Sequence, residues 1–128
     1  MQDRPTAAEL LDAVEGFLRK QSAAQQDRWL RFQLLVASNT LGIVRREIAT
    51  EEGYVRKEWP MLDALVGAAK PPETFHEVEL ACRGRYDELC DAIRAGKFDA
   101  PEREAALVDF LWETTVDRVK TTAPGELR

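Results

Sequence analysis

The single histidine, His76, is where any acid–base, nucleophilic or metal chemistry in this sequence has to start. It opens His76-Glu77-Val78-Glu79-Leu80, which begins like the His-Glu-x-x-His zinc element. That element needs a second imidazole one helical turn on, and Leu80 stands there instead. His76 also closes Glu73-Thr74-Phe75-His76, a Glu-x-x-His of the kind used by di-iron bundles. Those sites require two such elements and two further glutamates, which one chain with one histidine cannot assemble. A symmetric pair of chains is the arrangement that could. The expectation is a helix-start histidine flanked by solvated glutamates, with no metal and no cofactor.

The nucleophile candidates fare no better. Cys82 and Cys90 lie eight residues apart in one predicted helix. At ~1.5 Å rise per residue their Cα atoms stand roughly 12 Å apart, beyond the ~7 Å that a disulfide tolerates. Both read as free, buried thiols, Cys82 on an apolar stripe and Cys90 at its edge. Cys82 is about 120° round the helix from His76, so the two cannot pair. Ser22 sits in a predicted turn and Ser38 in mid-helix, neither in the strand-turn-helix setting that exposes a nucleophilic serine. No glycine-rich phosphate loop occurs. The residues assign no catalytic centre.

Four residues are candidates for holding a ligand: Asn39, Arg45, Arg46 and His76. Asn39 is a polar residue near the middle of the longest predicted helix. It can contact a ligand between helices, or hydrogen-bond across a helix contact and fix its register. Arg45 and Arg46 can bind an anion, or interact with the helix C-terminal dipole and nearby acids. The aromatics point to partners. Trp29, Trp59 and Trp112 are many for a small helical protein, and tryptophan is enriched where proteins meet. Trp29, Phe32, Val36, Ile43 and Trp112 are the candidate interface residues.

The elements that must position these residues are all helices. Thr6-Ala7-Ala8-Glu9 is a capping box, and Leu10, Leu11, Val14, Phe17 and Leu18 follow at helical spacing. Gln21 to Gln26 reads as the turn, and Asp27 as the cap of a second, long helix to about Glu52. On it, Leu30, Leu34, Ala37, Leu41, Val44 and Ile48 form one stripe. Trp29, Phe32, Val36 and Ile43 form another more than 90° away. A helix with two apolar stripes has two sets of neighbours, so it is either the central post of a bundle or a subunit seam. Gly53 is expected to stop this helix and Pro60 to open a short third one ending near Gly67. A fourth is expected from about Pro72 to Ala95, carrying Phe75, Val78, Cys82, Tyr86, Leu89 and Ile93. A fifth starts at Pro101 with Leu107, Val108, Leu111, Thr115 and Val119, and the tail from about Thr121 is expected to be irregular. No period-two alternation signals a strand. The fold class is all-α: one domain over residues 1–128, a bundle of about five helices around one long central helix.

Composition sets the outer bounds. A 128-residue chain with 45% hydrophobic and 32% charged residues is an ordinary globular protein, long enough to bury a core without a disulfide or metal. A net charge of −5 with no basic block argues against binding nucleic acid. No apolar run approaches the ~18 residues of a membrane span, and the first residues lack the pattern of a secretory leader. The expected compartment is the cytoplasm, with no membrane contact.

Three segments carry a resemblance across nearly the whole chain. They are Arg4-Pro5-Thr6-Ala7-Ala8-Glu9-Leu10-Leu11, Val36-Ala37-Ser38-Asn39-Thr40-Leu41-Gly42-Ile43-Val44-Arg45-Arg46-Glu47, and Ala92-Ile93-Arg94-Ala95-Gly96-Lys97-Phe98-Asp99. Together they resemble an uncharacterised family of small bacterial all-helical proteins, a domain of unknown function. Members of that family are often encoded beside aminoglycoside-phosphotransferase-like kinases and acyl-CoA dehydrogenases. The resemblance implies an accessory role in acyl-CoA or related catabolism and no catalytic residue. The family pattern closes with Asn-Pro-x-Tyr-Leu, whereas this chain reads Ala123-Pro124-Gly125-Glu126-Leu127. Two functions are therefore expected to compete. One is a non-enzymatic interaction protein, a homodimer assisting a neighbouring enzyme. The other is a helical bundle binding an acyl-CoA-like or anionic small molecule near Asn39, Arg45 and His76.

Overall fold

The computed structural model describes residues 4–127. Four α-helices account for most of them: α1 (Ala7–Ala24), α2 (Arg28–Val66), α3 (Phe75–Arg94) and α4 (Pro101–Thr122). A short 3-10 turn, Pro124–Glu126, follows, so order extends past the point where an irregular tail is expected. No strand occurs among the described residues, and the all-α expectation holds.

The helix count is four rather than five, because α2 runs 39 residues straight through Gly53 and Pro60. A glycine costs about 1 kcal/mol in a helix interior and a proline about 3. Trp59, Leu62 and Leu65 are all buried, Leu62 completely, and Val55, Met61 and Val66 pack against them. Each such side chain is worth about 1.5–3 kcal/mol when fully buried. Burial on one face therefore outweighs the two breakers, which sit on exposed positions. Gly67, at φ 105°, is the residue that ends α2.

Local signals elsewhere work as their chemistry dictates. Thr6 and Glu9 form the reciprocal capping box of α1, with Thr6 N–H donating to Glu9 Oε2 at 2.7 Å. Asp27 Oδ1 accepts from Leu30 N at 2.7 Å and caps α2. α3 opens three residues later than Pro72 suggests, because Thr74 is the cap and accepts from Glu77 N. It ends in a Schellman turn, with Lys97 N donating to Ala92 O at 3.0 Å and Gly96 N to Ile93 O at 3.1 Å. Gly96 takes φ 77°, which a side chain rarely tolerates.

The chain forms two compact units, both drawing on α2. Unit 1 comprises residues up to Thr50 together with Thr121–Ala123, and so holds α1 and the first part of α2. Unit 2 comprises Glu51–Lys120 with the residues from Pro124 on. Among the described residues the buried apolar core, Trp59, Leu62, Leu65, Val78, Cys82, Leu89, Phe98, Leu107 and Phe110, lies in unit 2.

In unit 2, α4 turns a different face to the core than its apolar residues suggest. Leu107, Phe110, Thr114 and Asp117 are buried, while Val108 and Leu111 are exposed. Thr114 hides its hydroxyl by donating to Phe110 O at 2.9 Å, and Asp117 accepts from Lys57 Nζ at 2.8 Å. Two polar residues on the core line masked the true face. Cys90 is likewise exposed rather than buried, and only Cys82 is inside.

Candidate interaction surface

Unit 1 is an antiparallel helical hairpin whose inner line is polar. Among its described residues, Glu15 and Ser22 of α1 and Ser38 and Gly42 of α2 are the buried ones. Ser38 Oγ donates to Glu15 O at 3.1 Å and Ser22 Oγ to Arg31 O at 3.0 Å, tying the helices together through backbone carbonyls. The Glu15 carboxylate lies against Gly42, where an added Cβ would stand 3.0 Å from Glu15 Oε1. Arg45 Nε donates to Glu15 Oε2 at 3.1 Å and lies 3.7 Å from Asp12 Oδ1, while Arg19 reaches Glu15 Oε1 at 3.2 Å. The small residues let the two backbones approach, and the guanidinium groups compensate the buried carboxylate.

With small and polar groups used inside, the large apolar groups are left outside. Trp29 is 66% exposed, Phe32 56% and Val36 46%. Ile43 is half-buried and Asn39 exposed. These five residues recur at spacings of three and four, so they line one narrow strip of α2. Trp29 and Phe32 stack on each other, with ring centroids 5.9 Å apart. On α1, Leu10, Val14 and Phe17 form a second exposed apolar set. Both expected stripes of the long helix are largely exposed among the described residues: Leu30, Ala37, Val44 and Ile48 of the first, and Trp29, Phe32 and Val36 of the second.

Charge follows the same division. From Phe32 to Val44 the sequence contains no ionisable residue, on any side of the helix. Residues 1–50 carry seven basic and six acidic groups, whereas residues 51–128 carry eleven and seventeen. The net negative charge therefore belongs to the second part of the chain. An uncharged, apolar helix segment is a buried segment in a stable protein.

The ligand candidates are dispersed. Arg45 is held by Glu15, and Arg46 Nε donates to Thr121 O at 2.7 Å. The Asn39 side chain makes no hydrogen bond among the described residues. His76 is exposed in the first turn of α3, in unit 2. Of the tryptophans, Trp112 is 71% exposed, but Trp59 is buried and its indole donates to Ala69 O at 2.8 Å. A groove of about 800 Å³ in unit 2 is lined by Asp63, Gly67, Glu88, Asp91, Lys97 and Arg103 among others, and by none of the four ligand candidates.

Unit 2 holds the polar chemistry that the sequence did not announce. Arg85 is buried, stacks 4.5 Å over the Trp59 ring, pairs with Asp63 at 2.7 Å and donates to Gly67 O at 2.6 Å. It thereby neutralises the carbonyl end of α2. The Tyr86 hydroxyl donates to the buried Glu58 carboxylate and accepts from Arg118 at 3.2 Å. Burial, then Glu58, pushes the Tyr86 hydroxyl well above its usual range. Burial, then the same carboxylate, also raises the Cys82 thiol, which disfavours the reactive thiolate. Every buried side-chain nitrogen and oxygen among the described residues has a partner. These groups brace the fold.

Helices, polar hairpin and bare stripe together define a small all-α protein that presents an unpartnered apolar helix face. Residues 23–125 match a protein family described as a domain of unknown function, DUF6285, and the chain belongs to that family. No curated protein and no solved structure matches it. No helix among the described residues is long and apolar enough to cross a membrane, and no group of three or more His, Cys, Asp or Glu side chains is placed to hold a metal ion.

Proposed function

We propose that this chain is a non-enzymatic interaction protein of the bacterial cytoplasm that pairs with a second copy through unit 1. The observation that supports this reading is the strip of exposed Trp29, Phe32 and Val36 with half-buried Ile43, most of it on the Phe32–Val44 segment without a charge. A lone two-helix hairpin with a polar inner line buries too little apolar surface to hold itself. A second hairpin supplies what is missing, and homodimers are the commonest way to supply it. In this reading the pair is an accessory to a neighbouring enzyme, a kinase or an acyl-CoA dehydrogenase of the kinds that the family resemblance implies.

The competing reading, a bundle that binds an acyl-CoA-like or anionic ligand, has less behind it. Arg45 and Arg46 are already engaged, and the groove in unit 2 mixes acidic with basic groups. Light scattering over a concentration series tests the proposal, together with co-purification from the native cytoplasm and a thermal-shift screen of acyl-CoAs, nucleotides and divalent metals. A mass near twice 14.5 kDa is expected, with no shift from the screen. A strict monomer that retains no partner contradicts it. A ligand-induced shift favours the competing reading, since a ligand at 100 times its Kd stabilises by ~2.7 kcal/mol.

A further inference from the structure

We propose that the groove in unit 2 binds a small elongated zwitterion, its cationic end against Glu88 and Asp91 and its anionic end against Lys97 and Arg103. All the lining residues belong to unit 2, so the site is independent of the self-association proposed for unit 1. The groove holds about 800 Å³, within the roughly 300–1,000 Å³ of small-molecule sites. Its α3 wall is one strip, because Glu88, Asp91, Ala92 and Ala95 recur at spacings of three and four. Gly96 then turns the chain at φ 77°, and Lys97 stands at the end of that strip.

The two ends carry opposite charges that the fold leaves unspent. Neither the Glu88 carboxylate nor the Lys97 ammonium has an ion pair or side-chain hydrogen bond among the described residues. Asp91 is paired only with exposed Arg94, at 3.1 Å. Asp63, a third carboxylate in the lining, is already neutralised by Arg85 at 2.7 Å and is set apart. Arg103 is fixed in place, donating to Leu65 O at 3.0 Å with its guanidinium 4.6 Å over the Phe98 ring. Its other N–H groups form a preoriented fork for a carboxylate. Ala92 and Ala95 lie between the charged ends along α3, and Ala64 and Val66 of α2 add to an apolar middle. Glu88 and Ala95 stand roughly 10 Å apart at ~1.5 Å rise per residue. That span suits an ω-amino acid with an extended methylene chain, and not an α-amino acid, whose charges are adjacent. A simple anion meets the Glu88 and Asp91 carboxylates, and a simple cation meets Lys97 and Arg103. A zwitterion of this length is complementary to both ends.

The test titrates ε-aminocaproate into the full chain and follows backbone amides by heteronuclear NMR, with caproate and pentylamine as analogues lacking one charge each. Saturable shifts are expected at Gly67, Ala92, Ala95 and Lys97, with a dissociation constant on the order of 1 mM because the charges are exposed to solvent. Each analogue is expected to bind at least roughly tenfold more weakly. Glu88→Gln and Lys97→Gln change exposed side chains. Each is expected to weaken binding roughly tenfold without moving the unfolding midpoint. No saturable shift at tens of millimolar overturns the proposal. So does an analogue that binds as tightly as the zwitterion, or binding that both variants leave intact. Light scattering reads the self-association of unit 1 separately, so either proposal can fail without the other.

Discussion

Units 1 and 2 are built from helices of similar sequence character and spend their apolar residues in opposite ways. Unit 2 places Leu62, Val78, Leu89 and Phe110 inside and arranges its buried polar groups around them in bonded sets. Unit 1 places Glu15, Ser22 and Ser38 inside and leaves Trp29, Phe32 and Phe17 in solvent. The first arrangement is sufficient by itself. The second is a hairpin whose best hydrophobic material faces outward, and that is the physical mark of a surface meant to be covered. Comparing the units therefore separates residues that hold the chain together from residues that, in the proposed function, hold chains to each other.

The largest expected effect breaks the comparison at both ends. Phe110→Ala removes a fully enclosed ring and is expected to cost about 3–5 kcal/mol, read as a lowered denaturation midpoint. Phe32→Ala is expected to change the midpoint of dilute protein by under about 0.5 kcal/mol while weakening self-association severalfold. Equal losses of stability from the two substitutions would erase the distinction between the units. Next comes Arg85→Met, which removes the cation from Asp63 and from the carbonyls of Trp59 and Gly67. A cost of about 3 kcal/mol is expected, since a half-buried Asp63 is left with weaker compensation. Urea unfolding monitored by tryptophan fluorescence reads it directly, because the ring stacked beneath Arg85 is Trp59.

Tyr86→Phe is a smaller change with a pH signature. At neutral pH the lost bond to buried Glu58 is expected to cost about 1–2 kcal/mol. In the folded protein the Tyr86 hydroxyl titrates above its unfolded value of about 10. The folded state thus holds that proton more tightly, and the stabilisation is complete below about pH 10 and lost as pH rises through the folded value. Lys57, raised by its bonds to Asp117, acts in the same direction. Unfolding midpoints from pH 9 to 11.5 should fall for the native chain and fall less for Tyr86→Phe. Parallel curves would show that the hydroxyl is not coupled to folding. Within unit 2 the smallest effect is expected at Gly96→Ala, about 1 kcal/mol, because φ 77° is strained for any side chain and the new Cβ would meet Asp99 Oδ2 at 2.9 Å.

Much of this division can be read in the residues. The caps at Thr6 and Asp27, the stop at Gly96 and the start at Pro101 are local chemistry, and each lies where the sequence puts it. The Trp29 strip is legible as a second apolar period on one helix. What escaped is set by packing at a distance. Gly53 and Pro60 read as punctuation, yet Trp59, Leu62 and Leu65 carry the helix across them. Phe110 was hidden because Thr114 and Asp117 share its face, and only their bonds to Phe110 O and Lys57 make that face a core face. Arg85 stands two residues from Arg83 and carries no local mark of burial. Nothing local says that Gly67 and Trp59 will present carbonyls to it. Among the candidate site residues the interface set is carried by hydrophobic period, whereas the binding of Arg45 and Arg46 by Glu15 and Thr121 depends on contacts 30 and 75 residues away.

Hydrogen exchange followed by mass spectrometry at two protein concentrations tests the central claim most directly. If unit 1 is completed by a second copy, amides of α2 from Trp29 to Val44 gain protection as concentration rises. Those around Leu62, Leu89 and Phe110 in unit 2 should exchange at the same rate throughout. Protection of the Trp29–Val44 segment that is independent of concentration, in a protein that stays monomeric, would contradict the account.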